Sequence, residues 1–155
     1  MSLIKIVLLF IYLIFFSTAN AESYVKAGES LIWDSENKSY TANGDVEFKN
    51  DKFIAYADKM IAMYEEKDNE EIFTVIELFN NVVIEFEEEI FRGNYAVYTR
   101  DDNLIKLSGD VSIESPTRLL TGSELIADID NNKRILNSKN NESLVEVLLE
   151  NNASN

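Results

Sequence analysis

Two runs of carboxylates are the side chains in this sequence that could support acid–base or metal chemistry. They are Glu87-Glu88-Glu89 and the acidic stretch Glu65-Glu66-Lys67-Asp68-Asn69-Glu70-Glu71. Paired-carboxylate catalysis, as in glycoside hydrolysis, needs two such groups facing each other across a cleft. Consecutive strand residues point to opposite faces, so neither run converges on one site, and both read as solvated turns. Asp128-Ile129-Asp130-Asn131-Asn132 has the opening of a calcium loop. However, Lys133 stands where that loop needs glycine and Lys139 where it needs the closing glutamate. The chain has no histidine and no cysteine. That removes thiol nucleophiles, imidazole bases, the usual zinc ligands and a disulfide framework. No glycine-rich phosphate loop or nucleophile elbow occurs. Asn37-Lys38-Ser39, Asn141-Glu142-Ser143 and Asn152-Ala153-Ser154 match the glycosylation sequon, which an asparagine-rich chain produces by chance. The sequence therefore assigns no catalytic residue, no metal and no cofactor, and the chain reads as a binding protein, not an enzyme.

The remaining chemistry is apolar. Val46, Phe48, Ile61, Met63, Val82, Ile84, Phe86, Val97, Val111, Ile113 and Ile126 form a candidate inward-facing set. Such a set either fills a closed core or lines a groove for acyl chains, and an acyl chain gains about 0.8 kcal/mol per buried CH2. Charge narrows the partners. With 28 acidic against 14 basic residues the net charge is −14, the wrong sign for nucleic acid, whose phosphates need a basic face.

The elements that must position this set are strands. Val46 and Phe48 alternate with Glu47 and Lys49; Val82, Ile84 and Phe86 with Val83, Glu85 and Glu87; Val111 and Ile113 with Ser112 and Glu114. A period of two marks strands with one apolar and one charged face. The strands repeat. Gly44-Asp45-Val46-Glu47-Phe48 aligns with Asn80-Asn81-Val82-Val83-Ile84 and Gly109-Asp110-Val111-Ser112-Ile113. Eleven residues after each valine comes a small residue (Ala57, Gly93, Gly122), and four further on an aliphatic one (Ile61, Val97, Ile126). A partial unit, Gly28 with Ile32, leads the series. The recurring small position predicts a bend or a close backbone approach. The middle unit carries seven extra residues, assigned to the acidic turn Glu65–Glu71. Asn50-Asp51, Asp101-Asp102-Asn103, Asp130-Asn131-Asn132 and Pro116 punctuate the strands as turns. The pattern predicts about a dozen strands in an elongated, rolled antiparallel sheet, a jelly roll or a solenoid-like repeat.

The chain starts with an export-signal pattern: Lys5, an apolar run from Ile6 to Phe16, and the small-x-small tripeptide Ala19-Asn20-Ala21. Eleven apolar residues fall short of the roughly 20 that span a bilayer, which favours cleavage after Ala21 over a retained anchor. The expected organisation is a signal peptide over 1–21, a β domain over 22–138 and an extension over 139–155. Within that extension Leu144–Leu149 is apolar and forms either a last edge strand or a short helix, with the strand favoured in this β context.

Taken together, these units resemble a known family. Ala42-Asn43-Gly44-Asp45-Val46-Glu47-Phe48 with Phe53-Ile54-Ala55-Tyr56-Ala57-Asp58-Lys59-Met60-Ile61 is similar to the LptA/OstA-like proteins of lipopolysaccharide transport. Arg92–Tyr98, Ile105–Ile113 and Leu120–Asp128 continue the likeness over roughly residues 24 to 138. The resemblance implies an all-β, elongated open antiparallel β-jellyroll whose interior holds the acyl chains of lipid A. It implies a non-enzymatic periplasmic carrier that forms part of a bridge from inner to outer membrane. The implied partners are lipopolysaccharide, inner-membrane LptC-like and outer-membrane LptD-like proteins joined by edge strands, and further copies of the chain stacked head to tail. The runs before Asn43 and after Asn132 would supply the edges. The acidic balance implies that the sugar and phosphate part stays in solvent, near cations such as Lys59, Arg92, Lys106 and Arg118. The competing readings are a membrane-anchored LptC-like component of the same pathway and a structural β-repeat protein with a closed core.

Overall fold

A computed structural model of the chain describes residues 23–138 and 145–149. The export pattern over 1–21 lies outside them, as do 139–144 and 150–155 of the extension. The described residues form ten strands and no helix. In chain order these are β1 (Tyr24–Lys26), β2 (Ser30–Asp34), β3 (Ser39–Lys49), β4 (Ile54–Lys67), β5 (Glu70–Phe86), β6 (Glu89–Thr99), β7 (Leu104–Ser115), β8 (Arg118–Asp128), β9 (Lys133–Asn137) and β10 (Glu146–Leu149). All pair antiparallel in one sheet. Six long strands, β3 to β8, follow one another as neighbours. β1 and β2 both pair with β3, and β9 and β10 both pair with β8. Within the apolar C-terminal piece, Glu146–Leu149 is thus a strand. The acidic run is no long turn: Glu65–Lys67 extends β4 and Glu70–Glu71 opens β5. Only Asp68 and Asn69 turn, both with positive φ, as a two-residue hairpin loop requires.

The repeated motif is the corner of the roll. Gly44 and Asp45 have φ of 73° and 42°, Asn80 and Asn81 61° and 50°, Gly109 and Asp110 82° and 50°. Glycine, asparagine and aspartate are the residues that visit this left-handed region at least cost. The paired register breaks at the same places, between Asn43 and Val46, Phe79 and Val82, and Ser108 and Val111. In each, two residues oppose one on the neighbour, which is a β-bulge that bends the sheet. The corners divide the sheet into two layers. The first runs β2-β3-β4-β5-β6-β7-β8-β9 and the second β1-β3-β4-β5-β6-β7-β8-β10.

The layers face each other over one apolar core that includes Phe48, Phe91, Met60, Ile76, Leu78, Ile84, Ile105, Ile113 and Leu125. One row across adjacent strands, Tyr40, Ala62, Ile76, Tyr98, Ile105, Ala127, mixes alanines with larger side chains. Unequal side chains of this kind interdigitate when two layers pack closely. No polar or charged side chain is fully buried among the described residues.

Candidate functional site

The corner decides which residues face inward. In β5 and β7 the inward set keeps one parity through the corner: Ile76, Leu78, Val82, Ile84, Phe86, and Ile105, Leu107, Val111, Ile113. In β4, β6 and β8 it slips by one residue. Ala57 is followed inward by Met60 and Ala62, Gly93 by Ala96 and Tyr98, and Gly122 by Leu125 and Ala127. Seven of the expected inward residues are therefore buried together: Val46, Phe48, Val82, Ile84, Phe86, Val111 and Ile113.

The other four correct the expectation. Ile61, Met63, Val97 and Ile126 lie on the outer face, where Ile61 and Val97 flank Glu77, and Val97 and Ile126 flank Lys106. Strict alternation from the small residue places them inside; the bulge opposite that residue turns the pleat over. The same inversion brings in Met60, Ala96, Tyr98, Leu125 and Ala127, which the sequence reading passed over. The available signal was the odd step between successive apolar residues, Ala57 to Met60 and Gly122 to Leu125.

Opposite the corner the two layers meet along a slit with two clefts. A cleft of about 800 Å3 lies over Phe48, Phe73, Ile76 and Tyr98. It is floored by an aromatic cluster in which Phe48 packs on Phe53 at 5.7 Å and on Phe73 at 5.9 Å, and Phe53 on Tyr98 at 4.9 Å. Offset and edge-on contacts of this kind favour aromatic pairs. Nearby, Lys52 of the β3–β4 turn pairs with Asp130 of the β8–β9 turn at 3.2 Å, and Asn103 donates to both Asp130 oxygens. The Asn103 amide and the Lys52 ammonium hold the Asp130 carboxyl below its ordinary value.

A second cleft, of about 580 Å3, lies over Ile113 and Leu120. Arg134, the β9 member of the row Tyr98, Ile105, Ala127, lines it. Its Nε donates to Glu89 Oε2 at 2.9 Å, and its guanidinium lies 5.1 Å from the Phe86 ring centre and 5.4 Å from that of Phe91. The two side chains are only 12% and 18% exposed. The Glu87–Glu89 run therefore supplies a partner to a largely covered cation. Asp128 spends its carboxylate on capping its own turn through Asn131, which lowers its pKa.

Both ends of the roll leave inward-facing apolar side chains uncovered. At the β2 end Leu31 and Trp33, opposite Ala42 and Tyr40, are 51% and 60% exposed. Trp33 is held by a bond from Nε1 to the Tyr64 hydroxyl (2.8 Å) and stacks on Tyr40 at 6.5 Å. Tyr40 itself donates to Glu71, whose carboxylate pushes the phenol up to about 12. At the other end Val147 and Leu149 of β10, in register with Leu120 and Arg118, are 52% and 68% exposed. Of the cations expected near strand ends, Arg92 is engaged with Glu114 on the outer surface, at 2.8 Å.

Comparison with known proteins agrees with this architecture. The structure matches that of "LptH, the LptA homologous periplasmic component of the conserved lipopolysaccharide transport device from Pseudomonas aeruginosa". The TM-score is 0.71 at 11% identity, over 84% of this chain and 96% of that one, a likeness of fold. No curated protein matches the sequence significantly. A family model described as the LptA/(LptD N-terminal domain) LPS transport protein matches residues 24–133, from the first strand to the start of β9. The chain thus belongs to the LptA/LptD N-terminal domain family of lipopolysaccharide-transport proteins.

Proposed function

We propose that this chain is a non-enzymatic periplasmic carrier that takes the acyl chains of lipid A between its two layers and forms part of a bridge for lipopolysaccharide. In this reading residues 1–21 direct export and are removed. The observation that carries it is a single apolar interior running the length of the roll and ending uncovered at both mouths, at Leu31 and Trp33 and at Val147 and Leu149. A structural protein would gain nothing from leaving such side chains in water, whereas a conduit continued by the next subunit would cover them. The edge strands β1, β2, β9 and β10 offer backbone groups to a second copy or to LptC-like and LptD-like partners.

The tight burial of Phe48, Ile84 and Ile113 favours a second reading, a closed β-repeat without a lipid groove. Photocrosslinking to lipopolysaccharide separates the two. A photoreactive residue replaces Phe48, Ile84 or Ile113, with Glu47 on the outer face as control. Adducts inside and none at Glu47 support the carrier. A folded protein with no adduct at any inward site has a closed core.

A further inference from the structure

We infer that Arg134 is an ionic latch across the slit, and that it exchanges Glu89 for a phosphate on the ligand when acyl chains part the layers. The inference rests on the carrier reading and adds to it a headgroup-recognition residue. Arg134 sits on β9, the edge of the first layer, while Glu89, Phe86 and Phe91 belong to the second. The contact therefore ties together two walls of the cleft that Ile113 and Leu120 also line, and wider parting of those walls would break it. A guanidinium in this position gives up an ion pair and two aromatic faces when the walls part, and a bare opening would leave its charge without a counterion. A phosphate restores that partner, because the planar fork of arginine matches phosphate oxygens as well as carboxylate. Glu89 is left beside Glu87 and Glu88 at the solvent-facing β5–β6 turn, where a released carboxylate is readily hydrated. Remaining donors of Arg134 already engage the carbonyl oxygens of Asp128 and Lys133, which hold the guanidinium at the rim instead of letting it follow Glu89.

The test uses the full mature chain and two readouts. In hydrogen exchange without lipid, Glu89→Gln accelerates the β9 amides of residues 133–137 roughly tenfold, because the charged pair no longer holds the strand. In binding, the wild type prefers lipid A carrying its phosphates over the same lipid after phosphatase treatment by roughly tenfold. Arg134→Met abolishes that preference, and Arg134→Lys keeps part of it. Inorganic phosphate alone leaves the β9 exchange of the wild type unchanged. Unaltered exchange in Glu89→Gln overturns the latch. A phosphate preference that survives in Arg134→Met overturns the exchange of partners, and a response of β9 to inorganic phosphate shows a plain anion site instead. If the wild type takes up neither lipid, the carrier reading falls and the inference with it; the first three failures leave the carrier reading standing.

Discussion

Replacing Ile113 and Ile126 by alanine, one at a time, tests the pleat inversion at the corner. Strict alternation puts both isoleucines inside. The structure buries Ile113 on β7 and leaves Ile126 on β8 outward, between Lys106 and Ile135. Ile113→Ala removes buried carbons worth roughly 0.8 kcal/mol each and leaves a cavity that the interdigitated layers close only in part. The expected loss is about 2–5 kcal/mol, a large part of a domain's stability. Ile126→Ala removes cross-strand contacts worth roughly 0.2–1 kcal/mol each, for a loss below about 1 kcal/mol. Urea unfolding followed by circular dichroism measures both. With a slope of about 2 kcal/mol per molar, Ile113→Ala lowers the midpoint by about 1 M or more, and Ile126→Ala by under about 0.5 M. Equal shifts, or a larger one for Ile126→Ala, would refute the inversion and with it the assignment of the inner face.

Both corner glycines face the base of a neighbouring side chain. A Cβ at Gly109 lies 2.9 Å from Asn94 Cβ, and a Cβ at Gly44 lies 3.0 Å from Glu29 Cβ and closer still to the rest of that side chain. Both carry positive φ, which costs an alanine roughly 1–2 kcal/mol. Gly44→Ala and Gly109→Ala should therefore both lower the urea midpoint, and an unchanged midpoint in either would count against the corner geometry. Hydrogen bonds from Asn37, Asn131, Asn103 and Tyr24 lower the pKa values of Asp34, Asp128, Asp130 and Glu47, respectively. A carboxyl with a lowered native pKa stabilises the fold above its ordinary value, 3.8 for aspartate, and loses that stabilisation as pH falls through the native value. The melting temperature should hold steady down to about pH 5 and then fall, and a flat profile to about pH 2.5 would contradict these bonds. Trp33, the one tryptophan in the chain, reports on the β2 mouth. Under end-to-end stacking its emission shifts to shorter wavelength with rising protein concentration, and Trp33→Asp weakens association roughly tenfold or more. An emission maximum independent of concentration, in a protein that sediments as an oligomer, would place the contact elsewhere.

The β class and the repeat are legible along the chain, because alternation needs only neighbours on one strand. The sequence reading puts the bend at Ala57, Gly93 and Gly122, whereas the bulged residues are the pairs opposite them, Gly44-Asp45, Asn80-Asn81 and Gly109-Asp110, whose types suit left-handed backbone. The sequence also identified seven inward residues correctly, because β3, β5 and β7 keep their parity through the corner. Tertiary structure alone decided the rest. The pleat of β4, β6 and β8 turns over at residues opposite a bulge on another strand, so strict alternation misplaces Ile61, Met63, Val97 and Ile126. Arg134 and Glu89 are 45 residues apart, and Glu89 reads from the sequence as part of a solvated turn. Only the closure of one layer on the other takes both out of water, and in a low-dielectric slit two such charges become partners.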